Sequence, residues 1–355
     1  MAKLELKPLQ MGDLVAKFPI IQGGMGVGVS LSGLVGAVAA EGGIGVISSA
    51  QIGYREPDFH KNPIECNLRE IKNQIDKARV IAKNGIIGIN IMVATKRYED
   101  YVKAAVAAGV DLIISGAGLP TTLPSLVEGF QTKIAPIVSS LKSTKVICRL
   151  WDRKYSRVPD AVVIEGPKAG GHLGFTPEQL EDIEGLNYDE EVKSIISLVR
   201  EYGEKYNTHI PVITAGGIYT REDIDYQLSL GADGVQMGTR FVTTHECDAD
   251  IRYKMTYVNA KKEDIQIVKS PVGLPGRAIK NAFLKSTGET KQVIKKCYQC
   301  LGKCNPSTIP YCITNALVNA AKGQVEEALL FCGDNAYKAE KIEHVSDVFK
   351  ELTRA

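Results

Sequence analysis

The strongest constraint on the fold is an alternation repeated through the first two thirds of the chain. Short runs rich in Val and Ile recur, most of them followed by a stretch of helical period that begins near Gly, Ser or Thr. Repeated strand-then-helix patterning marks βα units around a parallel sheet. The runs are PIIQ (19–22), IGVIS (44–48), IIGINIM (86–92), DLIIS (111–115), KVICRL (145–150), AVVIE (161–165), PVITA (211–215) and GVQMG (234–238). Eight such runs close a TIM (β/α)8 barrel. An open doubly wound sheet would have fewer strands and a Gly-rich fingerprint in its first βα turn.

Several connecting helices have clear ends. SLSGLVGAVAAEG starts at a Ser cap and stops at Gly42-Gly43, and NLREIKNQIDKARVIAKNG runs from Asn67 to Gly85. TREDIDYQLSLG has Thr220 as its cap with Asp223 three residues on. Only WDRKYSRVPD separates KVICRL from AVVIE, too few residues for a crossover helix, so a single turn or loop is expected there. Past residue 244 the pattern becomes one of helices joined by Pro/Gly loops without strand alternation. TNALVNAAKGQVEEALLF and KIEHVSDVFKEL then read as two amphipathic helices. The expected organisation is a barrel over 1–244, a smaller mainly helical cap over 245–319 beside the barrel mouth, and a return to the barrel wall over 320–355.

Composition narrows the function. Lys and Arg number 43 against 41 Asp and Glu, leaving a formal charge of +2 with no basic stripe, so nucleic acid is not an expected partner. The opening MAKLELKPLQMGDLVAKFPIIQGG lacks a signal-peptide layout, and no apolar run reaches the roughly 18 residues of a membrane span. The expected setting is the cytoplasm, with no membrane partner.

Barrel active sites lie at the carboxyl ends of the strands. The residues there form one ring: Gly23, Gly24 and Met25 after the first strand, Asn90 within the third, Gly170, Gly171 and His172 after the sixth, Gly216 and Gly217 after the seventh, and Gln236, Met237, Gly238 and Thr239 at the eighth. Glycine permits positive φ and lets main-chain N–H groups approach a ligand without a Cβ between them. A lone Gly-Gly is usually a turn, but independent turns have no reason to gather at one end of three strands. TAGGIYTRED and GVQMGTRF put backbone amides and a Thr hydroxyl at helix starts, an arrangement suited to a phosphate. Asn90, inside a strand, needs polar partners if buried.

These motifs, PIIQGGM, GINIM, AGGHLG, VITAGGI and VQMGTRF in that order, resemble the nitronate monooxygenase family, formerly 2-nitropropane dioxygenases, which includes flavin-dependent enoyl-acyl-carrier-protein reductases. The resemblance covers residues 15–245 well and is looser beyond. It implies a TIM barrel holding FMN non-covalently: Gly23, Gly24 and Met25 along the isoalloxazine, Asn90 on its polar edge, Gly170 and Gly171 beside the flavin and ribityl chain, and Gly217 with Gln236, Met237, Gly238 and Thr239 around the phosphate. His172 matches the family's histidine near the reactive flavin face. Many members read Gln-Gly-x-Glu where this chain has Glu165-Gly166-Pro167-Lys168; Glu165 would still accept a flavin hydrogen bond. The short link WDRKYSRVPD is a second departure, altering the wall beside His172.

His172 has a side chain that titrates near neutrality and is flanked by glycines, which favours an acid–base or charge-stabilising role. In a monooxygenase it would stabilise the nitro group's negative charge or deprotonate a neutral nitroalkane. In a reductase using NAD(P)H it would polarise an enoyl thioester or deliver a proton. A non-redox phosphate-binding barrel is the third reading, and the assembly, a homodimer among the options, is left open. His60, His209, His245 and His344 sit in polar stretches and are expected to be solvated, as are the charges of RLWDRKY: Arg149, Arg153 and Lys154.

Four of the eight cysteines crowd into CYQCLGKCNPSTIPYC, as Cys297, Cys300, Cys304 and Cys312. Such a cluster has thiolates enough for a zinc ion or an Fe–S cluster. The spacing fits neither common signature closely and the family's known cofactor is FMN alone, so no metal ligand is assigned.

Overall fold

The computed structural model describes residues 4–354, so residues 1–3 and 355 of the expected first and last units lie outside it. Its strands in chain order are β1 (Leu9–Met11), β2 (Leu14–Ala16), β3 (Ile20–Gln22), β4 (Ile44–Ser48), β5 (Ile86–Met92), β6 (Leu112–Gly116), β7 (Lys133–Val138), β8 (Val162–Glu165), β9 (Gly171–His172), β10 (Val212–Ala215), β11 (Gly234–Met237), β12 (Ile265–Lys269) and β13 (Pro275–Ile279). Strands β3 to β8, then β10 and β11, close into a barrel of parallel neighbours, the TIM barrel expected from the alternation.

Period-two alternation explains why these strands are apolar throughout. Ile21, Ile44, Val46, Leu112, Ile114, Ala135, Val163 and Ile213 fill the interior. Their neighbours Ile20, Ile47, Ile113, Ile134, Val162, Val212 and Val235 face the surrounding helices. Both faces of a parallel barrel are covered, so both need apolar residues. The β1–β2 hairpin contributes Leu9, Met11 and Ala16 to the interior cluster.

One strand is not where the sequence pattern puts it. KVICRL lies inside the helix Leu141–Tyr155, and the fifth barrel strand is Lys133–Val138. Thr144, Ile147, Cys148 and Trp151 are the buried positions, a helical spacing, while Val146 is 46% exposed. This helix is the crossover from β7 to β8. The short link is therefore the end of that helix and the chain leaving it, and the altered wall inferred from it loses its basis. Arg149, Arg153 and Lys154 ride on the helix's exposed face.

Two helix starts also differ. The helix Pro63–Ala82 begins at a Pro four residues before Asn67, the first-turn position where a missing N–H costs nothing. The helix Ser32–Ala40 has no side-chain cap of its own. Instead Asp248, far along the chain, accepts from the backbone N–H groups of Leu31, Gly33 and Leu34 at 2.8, 3.1 and 3.2 Å. Thr220 and Asp223 form the expected capping box.

The region after residue 244 is not free of strands. Helices Ile251–Val258, Ala282–Glu289 and Ile313–Ala321 are joined by the antiparallel hairpin β12–β13, whose β13 pairs with β9. The helix expected through TNALVNAAKGQVEEALLF stops at Ala321, ahead of Gly323 at φ +75°. Helix Val345–Thr353 buries Val345, Val348, Phe349 and Leu352 in the cluster that holds Leu34, Val38 and Phe241 of the barrel wall. Among the described residues no helix is long and apolar enough to cross a membrane.

Candidate active site at the barrel mouth

The same alternation sets the chemistry of the mouth. Asn90 shares the parity of Ile86, Glu165 that of Val163, and Gln236 lies between Val235 and Met237, which face outward. A polar layer therefore caps the apolar interior at the carboxyl ends of three strands. The Gln236 Oε1 atom is buried and has no hydrogen-bond partner within the chain. A buried amide oxygen left in that state costs about 1–3 kcal/mol, which a donor from a bound molecule would recover.

Gly23 and Gly24 are shaped by this layer. A Cβ on Gly23 would stand 3.0 Å from the Gln236 side chain, and one on Gly24 would stand 2.5 Å from the Asn90 Cβ. Gly23 donates to the Met237 carbonyl at 3.0 Å, stitching β3 to β11. The Met237 side chain itself is buried in the wall, so only its main chain belongs to the mouth. Met25 is fixed by Ser30, whose hydroxyl accepts from the Met25 N–H at 2.7 Å, and its sulfur lies beside Gly238.

The loops after β8, β10 and β11 converge. Gly216 and Gly217 have φ of +100° and +75°, a conformation that favours glycine. Thr239 opens the short helix Thr239–Val242. A strap from the C-terminal region ties these loops together: Gly333 donates to Thr239 Oγ1 at 3.0 Å, Asp334 to the Lys168 carbonyl at 3.2 Å, and the Asn335 amide to the Gly217 carbonyl at 2.6 Å. Sequence reading missed this strap, which lies in FCGDNAY, about a hundred residues past the last barrel strand. Gly170 also takes on a different meaning. A Cβ there would stand 2.6 Å from the Cys332 backbone, so close packing of the strap accounts for it, whereas Gly171, at φ +72°, has nothing within 4 Å of such a Cβ.

His172 is delivered to the mouth by β9, which hydrogen-bonds to β13 with His172 opposite Gly276. Its Nε2 lies 2.7 Å from Ser270 Oγ, and its ring meets Phe331 edge-on at 5.0 Å between centroids. Burial lowers its pKa to about 4, so the imidazole is neutral at physiological pH. Glu165 has the opposite fate: burial raises its carboxyl to about 7. Tyr188 holds that strand end by donating to the carbonyls of Ser139 and Glu165 at 2.9 and 3.2 Å.

Ser270 and Arg277 are the side chains that sequence reading overlooked. Both belong to the hairpin, whose signal was the alternating IQIVK and PGRAI around a Pro/Gly turn. Arg277, 3% exposed, donates from one guanidinium nitrogen to the carbonyls of Pro167 and Ala169 and faces Asp334 at 3.7 Å. It thereby fixes the loop that leads into His172. The other histidines, 60, 209, 245 and 344, are exposed, as expected.

Known proteins share this fold. The model of the nitronate monooxygenase family matches residues 8–355. A probable nitronate monooxygenase of Staphylococcus saprophyticus is 26% identical over 307 residues, which span 81% of this chain and 82% of the relative. FabK from Thermotoga maritima superimposes with a TM-score of 0.71 at 24% identity, covering 95% of this chain and 92% of its own. Nitroalkane oxidase from Streptomyces ansochromogenes gives 0.69 at 20% identity, with 95% of each chain covered.

Proposed function

The chain belongs to the nitronate monooxygenase family, and from that premise we propose that it is an FMN-dependent oxidoreductase that converts alkyl nitronates and O2 to a carbonyl compound and nitrite. The observation that carries the cofactor assignment is the unpartnered Gln236 oxygen in a polar layer against which Gly23 and Gly24 leave no room for side chains. Such a mouth fits a flat, polar-edged ring. Gly23, Gly24 and Met25 would lie along the isoalloxazine, with Asn90 and Glu165 on its polar edge, and Gln236, expected at the phosphate, joins that edge because it shares their layer. Gly171 would flank the ribityl chain, while main-chain groups of Gly216, Gly217, Met237, Gly238 and Thr239 would take the phosphate. When bound, FMN supplies the acceptor for the nitronate's electrons and returns them to O2.

The rest of the chemistry belongs to the chain. A histidine held neutral down to about pH 4 is a poor base for pulling a proton from a neutral nitroalkane. It is well suited to a substrate that arrives already deprotonated, because a neutral imidazole can donate one hydrogen bond to a nitro oxygen without bringing a counter-charge. Ser270 orients that ring through the 2.7 Å contact, and Phe331 walls one edge of it from water. None of the eight cysteines is paired in a disulfide, which suits the cytoplasm.

His172→Asn tests the reading. The variant is expected to retain flavin and to lose at least roughly 10²-fold in turnover with a nitronate, the scale of a lost acid–base or charge-stabilising group. Unchanged kinetics would remove His172 from the chemistry.

A further inference from the structure

The cysteine-rich run is the largest chemical feature that the barrel mouth leaves unexplained. Cys297, Cys300, Cys304 and Cys312 fall in the spacing C-x2-C-x3-C-x7-C, within a stretch, 290–312, that carries neither helix nor strand. Loop-borne thiols at short, unequal intervals are how Fe–S proteins gather their ligands. The four thiols are gathered in space as well as in sequence. That of Cys300 lies within charge–charge range of those of Cys297, Cys304 and Cys312. That of Cys304 lies within range of Cys297 and Cys312, and that of Cys312 within range of Cys297.

Among the described residues no three His, Cys, Asp or Glu side chains form a cage for a single metal ion. Cysteine zinc sites draw their ligands from two separated C-x2–4-C pairs, whereas Fe–S runs crowd three cysteines within a few residues, as Cys297, Cys300 and Cys304 do here.

The surroundings support it. Fe–S potentials are tuned by N–H groups and hydroxyls that hydrogen-bond to sulfur, and by shelter from solvent. Cys312 stands at the N-terminal cap of helix Ile313–Ala321, beside the first-turn N–H groups that have no intrahelical partner. The Gln299 N–H reaches the Cys297 sulfur at 3.4 Å. Tyr298 and Tyr311, 6% and 3% exposed, anchor the run against Phe59 and Phe283, and the Tyr311 hydroxyl is buried without a partner in the chain. Cys312 lines a cleft against residues 292–296, which gives iron and sulfide a way in.

The run is also docked at the barrel mouth. Lys96 donates its N–H to the Cys300 carbonyl at 3.2 Å, Gly302 to the Ala94 carbonyl at 3.0 Å, and Thr95 bridges Leu301. These anchors lie on the loop directly after β5, the strand that carries Asn90.

We propose that Cys297, Cys300, Cys304 and Cys312 ligate a [4Fe–4S] cluster on the loop that follows the Asn90 strand. The assignment stands independently of the flavin. It is tested on the full chain, purified without oxygen and reconstituted with ferrous iron and sulfide. The expected result is about four iron and four acid-labile sulfide per chain, with an electron paramagnetic resonance signal after reduction by dithionite. Cys300→Ser and Cys304→Ser should each lose most of that iron, while Cys148→Ser, a buried cysteine on the barrel wall, should keep it, with circular dichroism reporting that the variants fold. Zinc in place of iron, iron without sulfide, no metal at all, or full iron in folded Cys300→Ser and Cys304→Ser would each overturn the proposal. Because iron and sulfide are counted without reference to flavin, a protein that carries the cluster but no FMN would reject the functional reading and keep this one.

Discussion

Glu165 and His172 are two titrating groups that burial pushes in opposite directions at one barrel mouth. Glu165, raised to about 7 from an ordinary 4.5, holds a proton in the folded protein at pH values where the unfolded chain has lost it. It therefore stabilises the fold fully below pH 4.5, and that stability is lost as pH rises through about 7. His172, lowered to about 4 from 6.5, behaves in reverse, with its contribution present above pH 6.5 and lost as pH falls toward 4. Thermal unfolding followed across pH 4.5–7.5 should show Glu165→Gln losing less stability with rising pH than the wild type. Equal slopes would place the Glu165 carboxyl in solvent. His172 and the glycines were legible in the sequence because they sit next to strands and break strand chemistry. Ser270 and Arg277 were not, because each acts on a segment about a hundred residues away and neither neighbours a motif.

At the scale of elements, packing overrode local signals. KIAPIV is a barrel strand although Pro136 cannot donate to a ladder and, taken locally, argues against a central strand. KVICRL took its place on a short alternation that its helix neighbours outvote. The start of helix Ser32–Ala40 was misread for a related reason, since its cap is Asp248 rather than a local serine. Asp248→Ala should cost about 1–2 kcal/mol in a urea titration, the scale of a lost helix cap, because it strands backbone donors of the first turn. Asp248→Asn should recover part of the loss, since the amide oxygen still accepts. A silent Asp248→Ala would mean that water replaces the carboxylate.

For the molecule as a whole, the count of eight strands was right although one member was wrong, because the closed barrel demands a strand between β6 and β8 and the chain supplies it nearby. Sequence also carried the family and the mouth, while the closure of that mouth by the hairpin and the 332–335 strap depended on contacts between distant segments. Those contacts make the C-terminal region part of the proposed active site. Arg277→Met, which strands the carbonyls of Pro167 and Ala169 behind the His172 loop, should weaken flavin retention in dialysis more than it lowers the melting temperature of the apoprotein. A melting temperature that falls with flavin retention unchanged would make Arg277 a purely structural residue. The most direct test of the central claim is anaerobic mixing of the purified protein with an alkyl nitronate or with NAD(P)H while flavin absorbance is followed. The account predicts flavin absorbance that the nitronate bleaches with no NAD(P)H present. Bleaching by NAD(P)H with none by nitronate would contradict it in favour of an enoyl reductase, and a protein without flavin absorbance would contradict it outright.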